Sequence, residues 1–356
     1  MSIAIVTGSS GLVGSEAVEF LSKKGFEVIG IDNNYRKYFF GKNGDTNWRK
    51  SQLIKKFKNF SHFNYDIRDF NKLKKIFLRN KKNIKIIIHA AAQPSHDWAI
   101  KEPITDYSIN ATGTLNILEL TKLYSSDAVF ILVSTNKVYG DTPNKLNFIQ
   151  LKSRWELKKK DKFYKGINES MSIDNSVHSL FGVSKCSADL LAQEYGKNIG
   201  LKIGIFRAGC ITGPNHSGAE LHGFLNYLVQ VNLKRKKYNI YGYKGKQVRD
   251  NMHSYDLINS FWHFFKSPRN GEVYNIGGSR VNSCSILEAI NIIENISNIK
   301  MNYEINPKNR VGDHKWYISD IKKFKNHYKN FSLKYSLKAI IQEIVEWIKI
   351  NNNGNK

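Results

Sequence analysis

The first two dozen residues constrain the fold more than any other part of the chain. The apolar run IAIVT at residues 3–7 leads directly into TGSSGLVG at residues 7–14, and an amphipathic pattern follows over residues 12–24. A strand, a glycine-rich turn and a helix in this order let backbone amides at the helix N-terminus approach a pyrophosphate. We therefore predict a dinucleotide site at the first strand-to-helix turn.

Short apolar runs alternate with amphipathic stretches through the first 135 residues, which is typical of βαβ units around a parallel sheet. We predict an α/β fold, a doubly wound parallel sheet of the Rossmann type with a smaller C-terminal α/β substrate lobe. The cofactor domain is expected to cover residues 1–208 and about 244–276, and the substrate lobe residues 209–243 and 277–350. The predicted strands are Ile3–Thr7, Glu27–Asp32, His62–Tyr65, Ile84–Ala90, Ala128–Ser134 and Lys202–Arg207, and the predicted helices are Leu12–Lys24, Phe70–Arg79, Tyr107–Leu123 and Phe181–Ile199.

Two long segments interrupt this alternation. Residues 33–59 are rich in aromatic and basic side chains. They are either an insertion packed by its own aromatic rings or a lid that reaches toward cofactor and substrate. Residues 143–177 are predicted to be irregular.

The second strand ends at Asp32, where a carboxylate can accept hydrogen bonds from the adenosine ribose of a dinucleotide. This position favours NAD over NADP, although Arg36 close by could receive a 2′-phosphate instead. Asp66 and Ile67 fall where an adenine edge would lie, or they simply end the third strand and cap the next helix. Cofactor contacts along this path are predicted for Gly8, Ser10, Gly11, Leu12, Val13, Gly14, Asp32, Asn33, Arg36, Asp66, Ile67, Ala90, Ala91, Ala92, Asn110 and Ser134.

The composition argues against several other classes of protein. The formal charge is +25, yet the lysines are spread along the chain, so we expect no nucleic-acid partner. No apolar run approaches the ~20 residues of a membrane helix and no leader pattern opens the sequence, so we expect a cytoplasmic protein without a membrane partner. The cysteines, Cys186, Cys210 and Cys284, have neither disulfide-like nor zinc-like spacing, and we expect no bound metal.

Three later stretches carry a resemblance to a known family: STNKVYGD at residues 134–141, GKQVRD at 245–250, and NIGG at 275–278 followed by VNS at 281–283. With the glycine turn, they make the chain similar, from Ile3 to about Trp347, to the extended short-chain dehydrogenase/reductases, which include nucleotide-sugar epimerases and dehydratases. Within that family it most resembles the CDP-paratose 2-epimerases, also called CDP-tyvelose 2-epimerases. The resemblance implies a bound NAD that takes a hydride from a sugar carbon and returns it to the other face.

The resemblance also implies a catalytic Ser/Thr, Tyr and Lys. Thr135 matches the first and Lys185 the last, but the tyrosine position is Phe181, which cannot ionise. Either another residue supplies the base, or the chain is a substrate-trapping Tyr-to-Phe variant, or the protein has lost redox chemistry. We favour replacement of the base. The candidates for it are His178 and Tyr164, with Glu169 as a third.

The family likeness extends to the substrate side. It implies that Ala208 and Cys210 lie beside the nicotinamide and that Lys185 binds its ribose. Arg249 and Arg310 match arginines that grip the substrate diphosphate, or else they pair with Asp250 or Asp313. Substrate contacts are predicted for Thr135, Asn136, Phe181, His216, Glu220, Gln247, Arg249, Arg310 and Asp313.

We therefore expect an NAD-dependent nucleotide-sugar epimerase, with a CDP-hexose favoured, that serves polysaccharide sugar biosynthesis. The alternative enzyme is a 4,6-dehydratase or a ketosugar oxidoreductase, although dehydratases of the family carry an Asp-Glu pair where this chain has Asn136 and Lys137. The alternative of another class, suggested by Phe181, is a non-catalytic protein that binds NAD or a sugar nucleotide. A homodimer or homotetramer is expected, packed through residues 107–123 and 181–199.

Overall fold

The computed structural model describes residues 2–217, 223–309 and 312–353, and the chain divides into two compact units. Unit 1 comprises Met1–Val138, His178–Arg207 and Leu257–Tyr274. Unit 2 comprises Tyr139–Val177, Ala208–Asp256 and Asn275–Lys356. Residues 139–177 and about 244–256 are predicted to belong to the cofactor domain, whereas the structure groups them in unit 2. One reason is that residues 248–253 form a strand whose neighbours are strands of unit 2.

The strands are short, and five of the six that the sequence predicts lie within one residue of their predicted bounds. They are β1 (Ile3–Thr7), β2 (Glu27–Ile31), β3 (Phe60–Phe63), β4 (Ile84–His89), β5 (Val129–Thr135), β6 (Phe148–Gln150), β7 (Trp155–Leu157), β8 (Ile203–Ala208), β9 (Cys210–Thr212), β10 (Lys237–Tyr241), β11 (Val248–His253), β12 (Glu272–Ile276), β13 (Ser283–Ser285), β14 (Asn302–Asn306) and β15 (Trp316–Tyr317).

The helices alternate with these strands in the first part of the chain. They are α1 (Leu12–Lys23), α2 (Tyr35–Phe40), α3 (Asn47–Lys56), α4 (Phe70–Asn80), α5 (His96–Lys101), α6 (Pro103–Tyr107), α7 (Gly113–Tyr124), α8 (Leu180–Lys197), α9 (Phe224–Leu233), α10 (Ser254–Lys266), α11 (Ile286–Ser297), α12 (Lys322–His327) and α13 (Leu337–Asn353). Short 3₁₀ turns cover Gly41–Gly44, Lys81–Asn83, Asn136–Tyr139, Thr142–Lys145, Tyr243–Gly245 and Arg280–Asn282, and a π-helical turn covers Ser108–Thr112. No helix within the described ranges is both long and apolar enough to cross a lipid bilayer.

Seven of the described strands form the main sheet, in the order β3-β2-β1-β4-β5-β8-β12. The pairings from β3 to β5 are parallel. Every residue of β1 is buried, as expected for a central strand that is covered on both faces. The strand order reverses between β1 and β4, which is where doubly wound sheets bind ligands. The predicted doubly wound parallel sheet is confirmed.

The third strand, β3, lies two residues earlier than predicted. The sequence predicts it over His62–Tyr65, and the structure has it at Phe60–Phe63. Phe60 is buried, but Ser61 is exposed and the next two residues are half-buried, so apolar alternation marks this edge strand weakly.

The two segments that interrupt the alternation of strands and helices contain regular structure. Residues 33–59 form α2, a 3₁₀ turn and α3, and Tyr38 and Phe39 pack their rings against Trp98. Residues 143–177 carry the antiparallel hairpin of β6 and β7. The helix expected over Tyr107–Leu123 is interrupted by the π-turn before α7 begins.

Unit 2 has its own core. In it β10 pairs with β14 in parallel, and β11 pairs with β9, β13 and β15. Helices α9, α11 and α13 pack together through buried aliphatic side chains such as Leu228, Ile290 and Ile341. Ser285 and Glu288 form a reciprocal capping box at the start of α11, which fixes where that helix begins.

Candidate active site

The turn after β1 needs glycine at its first position. Gly8 has φ +67°, a left-handed conformation that L side chains rarely adopt, and its N–H donates to the carbonyl of Ile31 at 2.8 Å. A Cβ on Gly8 would lie 2.8 Å from the backbone nitrogen of Ala91. The ends of β1 and β4 therefore approach more closely than any side chain at residue 8 would allow. The predicted contacts Ala90, Ala91 and Ala92 follow β4 directly at this place.

The start of α1 is suited to an anion. Gly11 is its N-cap and supplies no side-chain cap, so the first-turn N–H groups of Leu12 and Val13 are not capped by a side chain. A Cβ on Gly14 would lie 2.0 Å from the carbonyl oxygen of Gly8, which leaves glycine as the residue that fits. Backbone amides at a helix N-terminus, next to a turn without side chains, are a pyrophosphate site.

Asp32 lies beside this turn, directly after β2. One carboxylate oxygen accepts a hydrogen bond from the N–H of Ser10 at 2.9 Å, and the other accepts from the N–H of Asn34 at 2.7 Å. The amide of Asn33 donates to Asp66 at 3.0 Å, which brings the residues after β2 and β3 together. The carboxylate is therefore held at the glycine turn, as a ribose site requires.

Two more predicted cofactor residues border this region. The guanidinium of Arg36 lies over the ring of Phe40, 4.6 Å from its centroid, and burial lowers the pKa of Arg36 to about 10. Ile67 is buried, and a Cβ on Gly113 would lie 2.5 Å from its side chain, so Gly113 makes room for it. The arrangement of turn, carboxylate and small residues fits a dinucleotide.

Asn110 lies in the π-turn, and its side chain connects two elements. Its amide nitrogen donates to the hydroxyl of Ser184 at 3.0 Å and to the carbonyl of Gln93 at 3.1 Å, and its oxygen accepts from the N–H of Gln93 at 2.9 Å. Asn110 thus ties the segment after β4 to α8. π-turns are often found at functional sites, and sequence periodicity gave no sign of this one.

Lys185 lies in α8 and is buried. Its ammonium group donates to the carbonyl of Val133 in β5 at 3.1 Å. Burial lowers its pKa to about 8, and the nearby carboxylates of Asp189 and Asp106 limit the drop. The side chain therefore keeps its charge at neutral pH while standing against the strand that carries the predicted catalytic threonine.

The carboxyl end of β5 holds three predicted site residues. Ser134 uses its hydroxyl to donate to Asp189 at 2.6 Å, inside the core. Thr135 is half-buried, and its hydroxyl oxygen accepts from the N–H of Lys137 at 3.2 Å. Asn136 is buried in the 3₁₀ turn that follows. Of these three, Thr135 combines partial exposure with a hydroxyl held by its own turn.

Phe181 lies one helical turn before Lys185 and is buried. Its ring meets that of His96 edge-on, with centroids 4.9 Å apart. Nδ1 of His96 is 2.7 Å from the hydroxyl oxygen of Ser179, the N-cap of α8. His178 immediately precedes that cap. Sequence reasoning did not find His96, although its position shortly after β4 could have indicated it.

The remaining predicted residues belong to unit 2. Arg249 forms an ion pair with Asp313 there, and the amide of Gln247 donates to the carbonyl of Tyr241 at 3.2 Å. The guanidinium of Arg280 lies 4.1 Å from the ring centroid of Tyr164.

Three more of the predicted contacts in unit 2 lie near a glycine or at the end of a strand. His216 is buried, and a Cβ on Gly223 would lie 2.4 Å from its ring. Ala208 ends β8 and Cys210 begins β9. Glu220 and Arg310 lie outside the described residues. No group of histidine, cysteine and carboxylate side chains in the described ranges could hold a metal ion.

The comparisons with known proteins agree with this geometry. The family model of the NAD dependent epimerase/dehydratase family matches residues 4–277. The chain belongs to this family. It is therefore an enzyme of the NAD-dependent epimerase/dehydratase type, and NAD is its cofactor, as predicted.

Relatives within the NAD dependent epimerase/dehydratase family match nearly the whole chain. A CDP-paratose 2-epimerase from Salmonella typhi is 32% identical over 96% of this chain and 98% of its own length. A UDP-glucuronate 4-epimerase from Thermodesulfobacterium geofontis is 29% identical over 99% and 97%. Among solved structures, a tyrosine-to-phenylalanine mutant of UDP-glucuronic acid 4-epimerase from Bacillus cereus, in complex with UDP-4-deoxy-4-fluoro-glucuronic acid and NAD, is 25% identical, with a TM-score of 0.79 over 99% of this chain and 100% of that one.

Proposed function

We propose that this protein is a nucleotide-sugar epimerase that oxidises a sugar hydroxyl transiently and then restores it with inverted configuration. The observation that carries the proposal is the 32% identity to a CDP-paratose 2-epimerase over 96% of the chain. That relative favours a CDP-linked hexose as substrate. We assign the reaction to the biosynthesis of polysaccharide sugars, and we expect it to take place in the cytoplasm.

Bound NAD supplies the hydride acceptor and donor for this reaction. Around it, the hydroxyl of Thr135 orients the sugar oxygen, because it is half-exposed at the end of β5 and held by its own turn. The ammonium group of Lys185 supplies a positive charge. Because the side chain is buried, the surrounding dielectric constant is low and the electrostatic interaction of this charge is stronger than in water. This charge favours loss of the hydroxyl proton.

The substrate diphosphate is assigned to Arg249. Its guanidinium is oriented by Asp313, and a planar guanidinium suits bidentate phosphate binding. The ion pair with Asp313 holds the guanidinium in one direction before the substrate arrives. Gln247 is assigned to the same ligand, and Arg310 remains a predicted second arginine.

Phe181 supports a second candidate, a protein that binds NAD and a sugar nucleotide without turnover. A phenylalanine cannot donate or accept a proton, so the position of the family's tyrosine carries no base in this chain. The two candidates make the same prediction for binding and different predictions for product.

We expect proton NMR of the purified protein with CDP-, UDP-, GDP- and dTDP-hexoses to show conversion of one sugar to its epimer without added NAD. Identification of the nucleotide released on denaturation gives the bound cofactor in the same experiment. Tight binding of a nucleotide sugar with no new sugar signals would favour the non-catalytic candidate. Signals of a 4-keto-6-deoxy sugar would instead indicate a dehydratase.

A further inference from the structure

An epimerase needs a proton acceptor beside the sugar hydroxyl, and Phe181 cannot be that acceptor. The need follows from the proposed function, on which this inference rests. The ammonium group of Lys185 donates to the carbonyl of Val133 at 3.1 Å, so we assign it the positive charge of the site rather than the acceptor role. The hydroxyl of Thr135 is hydrogen-bonded to the side-chain oxygen of Asn136 and to the N–H of Lys137, and neither group is a base at neutral pH. The acceptor must therefore be another side chain close to Phe181.

We propose that His96 is the proton acceptor that replaces the missing tyrosine. Its imidazole lies against Phe181 with the ring centroids 4.9 Å apart, so it borders the place that a tyrosine ring would occupy. His96 is the first residue of α5. It follows shortly after Ala90 and Ala91, which come directly after β4 and lie beside the glycine turn. The same short segment therefore carries predicted cofactor contacts at one end and an imidazole at the other.

The hydrogen bond to Ser179 sets the orientation of the ring. Nδ1 of His96 is 2.7 Å from the hydroxyl oxygen of Ser179, which also accepts from the N–H of Gly182 at 3.1 Å. In the tautomer in which Nδ1–H donates to that oxygen, the lone pair for proton transfer is on Nε2. Because Ser179 is held at the start of α8, its contact with Nδ1 fixes the direction of the imidazole, and in this tautomer Nε2 is the accepting nitrogen.

The proton step balances in both halves of the cycle. As a hydride leaves the sugar carbon, for which bound NAD would be the acceptor, the hydroxyl proton passes to Nε2 of His96 and a carbonyl forms. When the hydride returns to the opposite face of that carbon, the same proton returns from Nε2 to the oxygen. Substrate and product differ only in configuration, and both His96 and NAD are regenerated.

The three acceptors expected from the sequence have other contacts. Glu169 accepts a hydrogen bond from the backbone N–H of Asn275 at 2.7 Å. His178 packs against the first turn of α8, where a Cβ on Gly182 would lie 3.4 Å from its own Cβ. The ring of Tyr164 is covered by the guanidinium of Arg280, whose nitrogen also donates to the carbonyl of Tyr164 at 2.6 Å. The ring of His96, in contrast, lies edge-on against that of Phe181.

The test is the variant His96→Asn, whose amide can keep the bond to Ser179 but cannot accept the proton. We expect the rate of epimerisation of the sugar that the wild type converts to fall by about 10²- to 10⁴-fold, the usual effect of removing a general base. Affinity for the nucleotide sugar should be retained. Adding Phe181→Tyr to His96→Asn should recover activity, because a phenol then stands one turn before Lys185.

His263→Asn is the matched control, a half-buried histidine on α10, and should keep full activity. Nitrogen-15 NMR of the histidine side chains gives a readout that does not depend on turnover. The wild-type resonances that are absent from the spectrum of His96→Asn belong to His96. Their chemical shifts should be those of the Nδ1–H tautomer. Three results would overturn the proposal while leaving epimerisation intact. They are an Nε2–H tautomer of His96, wild-type activity in His96→Asn, and loss of activity in His178→Asn but not in His96→Asn. No product from the wild type with any sugar would contradict the proposed function, and the proton acceptor with it.

Discussion

Asp250 is a carboxylate enclosed in unit 2. It accepts hydrogen bonds from the backbone N–H groups of Ser279 at 3.1 Å and Ser319 at 3.0 Å. Gly277 makes room for it, because a Cβ there would lie 2.2 Å from a carboxylate oxygen. Burial raises the pKa of Asp250 to about 6, since two backbone donors only partly replace the water it loses.

This raised pKa predicts a pH dependence of stability. The folded chain holds the proton of Asp250 more tightly than the unfolded chain, whose aspartates titrate near 3.8. The stabilisation is therefore complete below about pH 4 and is lost as the pH rises through 6. Relative to Asp250→Asn, the wild-type free energy of unfolding should fall by up to about 3 kcal/mol between pH 4 and pH 7. Urea denaturation across this range measures it, and a difference that stays constant with pH would contradict it.

At the scale of single elements, the turn from β1 into α1 depends on backbone space. A methyl group at Gly14 would stand 2.0 Å from the carbonyl oxygen of Gly8, which belongs to the backbone and cannot rotate away. At Gly11, where φ is −73°, the nearest atom would be 3.4 Å away, an ordinary contact.

We therefore expect Gly14→Ala to lower the free energy of unfolding by about 1–3 kcal/mol or more, as overpacking does, and to release NAD. Gly11→Ala should cost less than about 1 kcal/mol, the usual range for a change of N-cap residue. Thermal unfolding and the bound-NAD content of the purified proteins measure both effects. Equal losses in the two variants would mean that the steric contact does not decide the effect.

The sequence predicted the central strands because they are buried on both faces. The predicted bounds of β1 are those found, and β4 and β5 differ from prediction by a residue at their ends. The hairpin of β6 and β7 was missed because three-residue strands are too short to show alternation. In the site, the glycine turn and Asp32 could be predicted from adjacent residues. His96 could not be paired with Ser179, 83 positions away, without the fold.

At the scale of the whole molecule, large apolar side chains remain exposed on helices α7 and α8 and on the segment before them. Examples are Ile104 at 84% exposure, Leu123 at 55%, Leu190 at 48% and Val183 at 44%. Exposed apolar surface of this kind is typical of a face that binds another protein surface. These helices cover most of residues 107–123 and 181–199, which are predicted to pack at a dimer interface.

We predict that Leu190→Glu shifts a homodimer toward monomer, because it would bury an unpaired charge in that interface. Leu78→Glu on α4, where the leucine is 39% exposed, is the matched control and should not change the assembly. Size-exclusion chromatography with light scattering gives the masses. A wild type that is monomeric at working concentration, or a Leu190→Glu protein that remains dimeric, would be inconsistent with this interface.

The order of the main sheet has a consequence for synthesis on the ribosome. Five neighbouring strands, from β3 to β5, are complete once residue 135 has been made, but the partner on the other side of β5 is β8, which begins at residue 203. At about 5–20 residues per second, the roughly 70 residues in between keep that strand edge unpaired for several seconds. An unpaired edge of apolar strand invites association with other nascent chains. Shortened versions of the gene that stop between these two strands should therefore yield insoluble protein, whatever their content of catalytic residues.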